Sequence, residues 1–557
     1  MSGLTKIRFR FRPRLLDDLA GYNRQNFLED LSAGVTVGIV ALPLAMAFAI
    51  ASGLPPQAGL FTAIVAGFLI SAFSGSSVQI GGPAGAFIVI VFGIVERYGI
   101  ANLLIATMCA GVLMIIMGLM RWGGLVRLIP ISIVIGFTNG IAVLIGLSQV
   151  KDFLGLKTDT LPADFFQKMV AIVQSLHTID PTTVFISLGS LAIVVFWPKS
   201  YASHDTLTGR IVARLPGTLV ALVFGTLVVS LFNLNVATIG SSFGEIPQGF
   251  PAFAWPAFEW ETVRYLFAPI LTIAFLGAVE SLLCARVADS MTRDRHDPNQ
   301  ELMAQGIANI ASPLFGGFCA SGTVARTVTN IRAGGKTQVS GMVHALTLLL
   351  VVLGAAPLAK NIPLATMSGI LMFVAWNMGE WREFVRLKNF TWAYRIILLS
   401  TFVLTVVIDI TVAVEVGLVL ACIFYITRMS EVTRAEPVSE EERQALGVTN
   451  PNTEVVRIIG SLFFGAISKL ETLTDPTRTL PKTLILDLSN LIHMDSTGLE
   501  ALQTMHDQLR AVGAQLILAG VSGQPRRLME RANFVTTIGE DSFYPDLRAA
   551  CQATSTS

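Results

Sequence analysis

Fourteen apolar runs, most of them about 20 residues long, follow one another between residues 30 and 428. About 20 apolar residues is what one α-helix needs to cross a hydrocarbon core of roughly 30 Å. Within that core every backbone N–H and C=O must find its partner inside the chain, so such runs have to be helices. They fall near 30–51, 56–73, 83–95, 100–120, 129–150, 182–197 and 211–232. After a polar, Trp- and Pro-rich interval they resume near 262–285, 300–317, 323–332, 337–356, 363–377, 393–409 and 411–428. Composition agrees, because 53% hydrophobic and 14% charged residues cannot keep a water-soluble exterior wet, which takes about a quarter charged. The same figures exclude collagenous, disulfide-scaffold and disordered classes. A net charge of +1 gives no reason to expect a nucleic-acid partner, so the lipid bilayer is the first partner.

Lys and Arg stay in loops that are retained on the cytoplasmic side, which makes their placement an independent reading of topology. With residues 1–27 as a cytosolic N-terminal segment, the inside loops hold Arg121 and Arg127, then Lys199, Arg210 and Arg214, then Arg293 and Arg295, then Arg332 and Lys336, then Arg382, Arg386 and Lys388. The stretch from Asn233 to Glu261 has no Lys or Arg. The expectation is a multi-pass plasma-membrane protein, as in a bacterial inner membrane, with both termini cytoplasmic. The basic N-terminus (Lys6, Arg8, Arg10) meets Asp17 and Asp18 instead of an apolar h-region, so no cleaved signal peptide is expected. Cys109, Cys284, Cys319, Cys422 and Cys551 form no CxxC or evenly spaced framework and read as buried spacers. Segment 164–178 carries Phe165, Phe166, Met169, Ile172, Val173 and Leu176 at helical spacing, which predicts a helix lying on the membrane surface or capping it.

The transmembrane domain is assigned to 28–430 and a linker to 431–452, where Pro437, Glu440 to Glu442 and Asn450-Pro451-Asn452 turn the composition polar. Residues 453–557 read as one small α/β domain. The strands expected there are Val455 to Ile459, Thr483 to Leu488 and Gln515 to Ala519, alternating with helices near 466–474, Ser496 to Arg510 and 524–532.

Two of the fourteen runs are too short to span. The third, from Pro83 to Val95, covers only about 20 Å at about 1.5 Å per residue, and the tenth, from Thr323 to Ile331, is shorter still. Each is preceded by small residues, Gly81-Gly82-Pro83-Ala84-Gly85-Ala86 in one half and Ala320-Ser321-Gly322-Thr323 in the other, and each is third in its group of seven. Matching short, Gly/Pro-interrupted segments are the mark of an inverted-repeat transporter whose half-helices meet at the midplane. Helix N-termini carry unpaired N–H groups and partial positive charge, so the physics favours an anion. Glycines that only serve helix packing remain the plain alternative.

Ionisable residues narrow the site, because a charge inside a membrane costs about 2.5–3.5 kcal/mol on insertion scales. The few buried charges read from the sequence are Glu280, in the eighth run, and Arg326, one turn into the tenth. Arg326 is a positive point for an anion, and Glu280 a candidate proton carrier. A Glu280–Arg326 salt bridge that only fixes helix positions is the alternative. Asp289, Asp409 and Glu415 suit gate or surface roles, and His344 suits a core position. The sequence has no GxxxxGK[ST] loop, metal cluster or nucleophile constellation. The expectation is neither an enzyme nor an ATP-driven pump, with no cofactor and no metal.

At this point the chain resembles the sulfate permease (SulP) family. The likeness runs through Ala41-Leu42-Pro43-Leu44-Ala45-Met46-Ala47-Phe48, Gly53-Leu54-Pro55-Pro56-Gln57-Ala58-Gly59, Gly82-Pro83-Ala84-Gly85-Ala86-Phe87, Asn299-Gln300-Glu301-Leu302 and Ala325-Arg326-Thr327. The C-terminal Leu486-Asp487-Leu488 and Met494-Asp495-Ser496-Thr497-Gly498-Leu499 resemble a STAS domain. The resemblance implies fourteen spans as two inverted seven-helix repeats, divided into core and gate domains, and a homodimer. It implies an anion site lined by Leu44, Phe48, Ala84, the backbone at Gly85 and Ala86, Ala325 and Arg326; Thr323 at the head of the tenth helix joins these candidates. It also supports Glu280 as the proton-coupling residue, and marks Ser496 or Thr497 as a candidate phosphorylation site, against a plain helix cap at Asp495 or Ser496.

Departures from the family pattern are Leu44 where many relatives have Gln, Ala84 in place of an aromatic, Ala325 in place of Ser, Ala58 and Phe61 in place of Tyr, and Ser77 in place of a basic residue. The pocket implied is wider and less polar. The leading expectation is a secondary active anion transporter, proton-coupled sulfate uptake by alternating access. Alternatives are a C4-dicarboxylate (succinate or fumarate) symporter and a bicarbonate transporter. From another class comes an anion channel or membrane sensor whose STAS domain signals to a cytosolic protein partner.

Overall fold

The computed structural model describes residues 11–124, 129–158, 161–162, 164–197, 216–244, 249, 252–256, 260–408, 410–448, 450–475 and 480–555. Lys6, Arg8, Arg10, Arg127, Lys199, Arg210, Arg214 and Asp409 lie outside the described residues. The chain divides into two compact units, Met1–Leu418 and Val419–Ser557.

The first unit is helical, and its helices start where local chemistry favours a start. Asn23 accepts from Asn26 N–H at 2.9 Å ahead of α1 (Arg24–Ala51). Pro56 opens α2 (Pro56–Phe73) at a position whose N–H has no partner to lose. The third and fourth apolar runs form α3 (Ile88–Leu119), which is broken at Gly99 (φ 82°) and preceded by a single 3-10 turn, Gly85–Phe87. Next come α4 (Ile131–Leu154), α5 (Phe165–Ser175), α6 (Pro181–Phe196), capped by Asp180, and α7 (Gly217–Phe232). The second half holds α8 (Phe267–Thr292), α9 (Pro298–Leu314), α10 (Val324–Arg332), α11 (Val339–Ala359), α12 (Leu364–Met378) and α13 (Trp392–Val407), and α14 (Ile410–Val432) begins in this unit and ends in the second. Every apolar run thus coincides with a helix. Among the described residues six helices are long and apolar enough to cross a membrane alone, and α5 with its 3-10 extension bends by 115° into α6.

Packing sorts these helices into two groups. One contains α1, α2, α3, α8, α9, α10 and α11; the other contains α4, α6, α7, α12 and α13. Without a hydrophobic drive between helices in lipid, close backbone approach supplies the attraction. The crossing of α3 and α9 shows it. A Cβ on Gly111 would lie 2.6 Å from the Gly306 carbonyl oxygen, and a Cβ on Gly306 would lie 2.5 Å from that of Gly111.

The second unit holds a mostly parallel sheet of order β3-β4-β5-β7-β8, with β6 also paired to β4. Its strands are β3 (Arg434–Pro437), β4 (Thr453–Leu462), β5 (Thr483–Asp487), β6 (Leu491–Met494), β7 (Gln515–Ala519) and β8 (Phe543–Tyr544). Side chains alternate across a strand, so Val456, Leu484, Leu486, Leu516 and Leu518 join the buried core that includes Leu499, Leu502 and Met529. Val455, Ile485 and Ile517 join a second core with Leu547, Ala550 and Cys551. The expected linker at 431–452 is different from a linker. It contributes β3, antiparallel to β4 through Arg434↔Ile459 and Pro437↔Val456, and a helix Glu440–Ala445 capped by Ser439. Pro is tolerated there because β3 is an edge strand. The helix expected near 466–474 is reduced to a 3-10 turn, Phe464–Ala466, and one turn, Ser468–Glu471.

Candidate functional site

The two small-residue segments meet although about 240 residues separate them. Gly81–Gly82 (β1) and Ser321–Gly322 (β2) form a two-stranded antiparallel pair, with Gly81 opposite Gly322 and Gly82 opposite Ser321. Side-chain bonds extend this join. Thr323 N–H and Oγ1 donate to the Ile80 carbonyl at 2.9 and 3.0 Å, Ile80 N–H donates to Thr327 Oγ1 at 3.0 Å, and Asn330 Nδ2 donates to the Val78 carbonyl at 2.9 Å. Both exits from the strand pair are helix starts, the 3-10 turn at Gly85 and α10 at Val324. Neither Ala84 nor Thr323 supplies a side-chain cap, so first-turn N–H groups are left for another acceptor.

Helix α8 braces the strand pair. Ser321 Oγ donates to Glu280 Oε2 at 2.9 Å, Gly322 N–H donates to Ser281 Oγ at 3.0 Å, and Gln79 Nε2 donates to the Ser281 carbonyl at 3.2 Å. Glu280 is half-buried. Among the described residues it makes no ion pair with Arg326; its partner is a hydroxyl.

Arg326 is only 2% exposed, and among the described residues neither terminal guanidinium nitrogen has a hydrogen-bond partner. One of them, NH1, fills the place a Cβ on Gly82 would take, and Gly82 itself has φ +152°. The charge therefore sits beside the strand pair, against the backbone that leads into the first short helix. His344 is fully buried, beside Gly67.

The remaining candidates divide. Phe48 and Gly85 come together, since a Cβ on Gly85 would lie 3.8 Å from the Phe48 ring and 3.5 Å from Met378 Sδ at the end of α12. Leu44 is one turn before Phe48 on α1, and both are nearly closed off. Ala84 and Ala86 are buried, Thr323 spends its hydroxyl on Ile80, and Ala325 is exposed. Met378 was missed by sequence reasoning because nothing in an apolar run marks which residue reaches across. Asp289 binds His296, through its N–H at 3.0 Å and Nδ1 at 2.7 Å. Glu415 lines a cavity of about 1390 Å3, which also reaches Ile50, Ala51 and Ile88 but none of the eight candidate anion-site residues.

The buried charges are more numerous than Glu280 and Arg326. Asp30 is fully buried, accepting from Lys336 N–H at 2.7 Å, Thr337 Oγ1 at 2.5 Å and Tyr22 OH at 2.9 Å. Glu301 is fully buried, accepting from Ser74 Oγ at 2.5 Å, Gly75 N–H at 3.0 Å and Gln305 Nε2 at 2.7 Å. Lys168 is 5% exposed. The two carboxylates are saturated by donors and fix loops.

In the second unit Asp495 accepts from Gly498 N–H at 2.8 Å as the N-cap of the helix Ser496–Ala511. Ser496 is exposed and Thr497 half-buried. Asp487 accepts from Arg457 Nε at 2.8 Å and Ser489 N–H at 3.1 Å. Burial pushes its carboxyl up, but Ser489 and Arg457 together hold it below the usual carboxylate range.

Residues 27–401 match the Sulfate permease family and residues 447–550 the STAS domain. The chain is 42% identical to the putative sulfate transporter YvdB of Bacillus subtilis over 94% of this chain and 97% of that one. Among solved structures, the transmembrane domain of a cyanobacterium bicarbonate transporter, BicA, is 32% identical with a TM-score of 0.63, over 71% of this chain and 98% of that one. The murine Slc26a9 anion transporter in its inward-facing state shares the fold over 99% of this chain and 96% of that one, with a TM-score of 0.84 at 18% identity.

Proposed function

The chain belongs to the sulfate permease family, and from that premise we propose that it is a secondary active anion transporter, carrying sulfate by alternating access with protons as the coupling ion. The observation that carries this reading is the strand pair. It holds two uncapped helix starts at one place, with an unpaired guanidinium beside them. Such a site offers backbone N–H groups and positive charge to a small anion without a fixed counter-charge.

The two packing groups support a core of α1 to α3 and α8 to α11 and a gate built on α4, α6, α7, α12 and α13; in this reading α14 joins the gate, and the whole makes fourteen spans of two inverted repeats. In this reading the anion lies among Leu44, Phe48, Ala84 to Ala86, Thr323, Ala325 and Arg326. Met378, from the gate, closes against Gly85. Thr323 acts through its backbone, since its hydroxyl is engaged. Glu280 carries the proton, and Ser321 reports its state to the strand pair, because a carboxylate accepts the Ser321 hydroxyl and a neutral acid also has a proton to donate. The transport domain closes near residue 430 and the STAS domain begins at β3. A homodimer with both termini cytoplasmic, and a STAS domain that engages a cytosolic protein through the Ser496–Thr497 corner, complete the proposal.

Bicarbonate is the second reading, favoured by the likeness to the BicA domain, and succinate or fumarate the third, favoured by the small side chains Ala84 and Ala325. Uptake of labelled sulfate, bicarbonate and succinate into proteoliposomes, with and without an inward proton gradient, tests all three. Accumulation of sulfate above equilibrium only with the gradient is the expected result. Uptake of every anion at an equal rate, independent of any gradient, fits a channel and sinks the proposal.

A further inference from the structure

Helices α12 and α13 are short for the membrane they belong to. With 15 and 16 residues at about 1.5 Å each they reach about 22 and 24 Å, against a hydrocarbon core of roughly 30 Å. Short spans are accommodated by flanking residues at the headgroup level, which draws the connection between them, residues 379–391, toward the bilayer surface. The connection holds its own shape. It forms a short helix, Trp381–Arg386, and a 3-10 turn, Leu387–Asn389. Phe384 packs edge-on against Phe402 of α13 with ring centres 5.0 Å apart, and Phe390 stacks on Tyr394 at 4.3 Å. Trp381 Nε1 donates to the Trp376 carbonyl at 2.7 Å, and Arg395 donates to the carbonyls of Phe390 and Lys388 at 2.9 and 2.7 Å.

What these contacts leave uncovered is apolar and cationic. Trp376, Val385 and Trp392 are 68 to 77% exposed, and Arg382, Arg386 and Lys388 are exposed beside them. Arg382 and Arg386, four residues apart, share one face of the short helix, with Phe384 on the opposite face toward α13. From Trp376 to Arg395 the chain holds four cations (Arg382, Arg386, Lys388, Arg395) and two carboxylates (Glu380, Glu383), four minus two, a net of +2. Glu383 pairs with Arg386 at 3.6 Å, which removes one charge of each sign and leaves the balance as it was. Arg382 and Lys388 form no ion pair among the described residues. Large apolar side chains next to unpaired cations gain nothing from bulk water. At a bilayer surface the first enter the acyl boundary and the second meet phosphate.

We propose that the α12–α13 connection is a binding site for anionic phospholipid. Arg382, Arg386 and Lys388 take the phosphodiester headgroups of the leaflet on that side, while Trp376, Val385 and Trp392 enter the acyl boundary. Charge supplies the selectivity and apolar area the depth: one cation near a membrane surface is worth about fivefold in affinity for an anionic leaflet. The occupant follows from position, because the bilayer already surrounds the two helices that flank the site. Such a contact ties α12, whose end carries Met378, to one leaflet. The inference stands apart from the proposed function, since it depends neither on which anion is carried nor on how transport is driven.

The test uses the full chain in lipid nanodiscs. Phosphatidylglycerol or phosphatidylcholine brominated on its acyl chains quenches the fluorescence of a tryptophan it touches. Quenching in the parent minus quenching in a Trp376→Phe, Trp392→Phe variant reports these two exposed indoles. At low salt, brominated phosphatidylglycerol is expected to reach half-maximal quenching at about one third, or less, of the mole fraction that phosphatidylcholine requires. That preference should vanish at about 1 M salt, where the screening length is about 3 Å. It should vanish equally when Arg382→Gln, Arg386→Gln and Lys388→Gln are combined. The salt arm reads the unaltered cations, so the outcome does not hinge on how the triple variant folds. Equal quenching by the two lipids at low salt overturns the anionic site and leaves plain apolar contact. Quenching by neither means that protein, such as a second copy of the chain, covers this face, and overturns the inference. A preference that survives both high salt and the triple replacement overturns it as well. Uptake does not enter the readout, so failure of the transport reading leaves this result untouched.

Discussion

Two arginines, Arg326 in the helical unit and Arg457 in the sheet unit, are held in opposite ways. Arg457 donates to Asp487 and Glu442, each at 2.8 Å, and both carboxylates raise the affinity of its guanidinium for the proton. Among the described residues nothing engages either terminal nitrogen of Arg326, which is more deeply buried. A buried charge without a partner costs stability, and it persists where a ligand is meant to complete it. A paired guanidinium can be fully explained by the fold it ties together. On the proposed function, the contrast separates a group left open for an anion from one that already has two carboxylates.

The largest effect is expected where that contrast is removed. Arg326→Met keeps the apolar stem of the side chain and deletes the charge. Sulfate kcat/KM should fall about 100-fold, the worth of one or two charge-assisted hydrogen bonds. Thermal stability should hold or rise, because an unpaired buried charge has gone. A melting temperature lowered by several degrees with uptake intact would make Arg326 a structural residue like Arg457, and break the comparison.

Next in size are changes to the neighbours of Arg326. Gly82→Ala puts a methyl where the guanidinium lies and asks for a left-handed backbone that only glycine takes easily. Sulfate affinity should drop roughly tenfold, since the arginine must move, and Arg326→Met should erase that penalty in the double variant. Glu280→Gln retains a partner for Ser321 but cannot release a proton. Gradient-driven accumulation should fall roughly tenfold or more while sulfate exchange across the liposome membrane continues at the parent rate. Loss of both together would mean that Glu280 supports the strand pair and nothing else.

Hydropathy and loop charges brought out the helices, and the paired small-residue segments pointed to the two half-helices, because both signals are local. The strand pair itself was not legible. Two residues per strand, joined across about 240 positions, leave no periodic pattern to find. Asp30 and Glu301 were missed because a carboxylate at the end of an apolar run looks solvated until the loops that fold over it are known. Lys168 was missed for the converse reason: amphipathic spacing shows that a helix has two faces, and only packing tells which one faces inward. In the sheet unit the three longer parallel strands alternate or run continuously apolar, whereas β3 hides behind Pro437 and an acidic run that together imitate a linker. Arg326 and Glu280 stood out as charges inside apolar runs, yet their partners did not. The salt bridge that spacing allowed is replaced by Ser321 on one side and an open guanidinium on the other.

The smallest effect on transport, and the sharpest control, belongs to Arg457. Arg457→Ala leaves Asp487 buried with only Ser489 as donor, and should destabilise the sheet unit by about 2 kcal/mol without changing the KM for sulfate. Hydrogen exchange of the β4 and β5 amides in the full chain measures the first, and proteoliposome uptake the second. The pH dependence follows from the direction of the Asp487 shift. Its folded-state carboxyl is held below the ordinary value of 3.8, so its contribution is complete above that value. It is lost as pH falls through the lower folded value, when the carboxylate takes up its proton and releases Arg457. Protection of β5 should therefore be flat from pH 7 to pH 5 and decline only in stronger acid, and Asp487→Asn should flatten that decline. A decline already under way near pH 6 would mean that another group holds the sheet. Arg457 would then no longer stand as the paired counterpart against which Arg326 is judged.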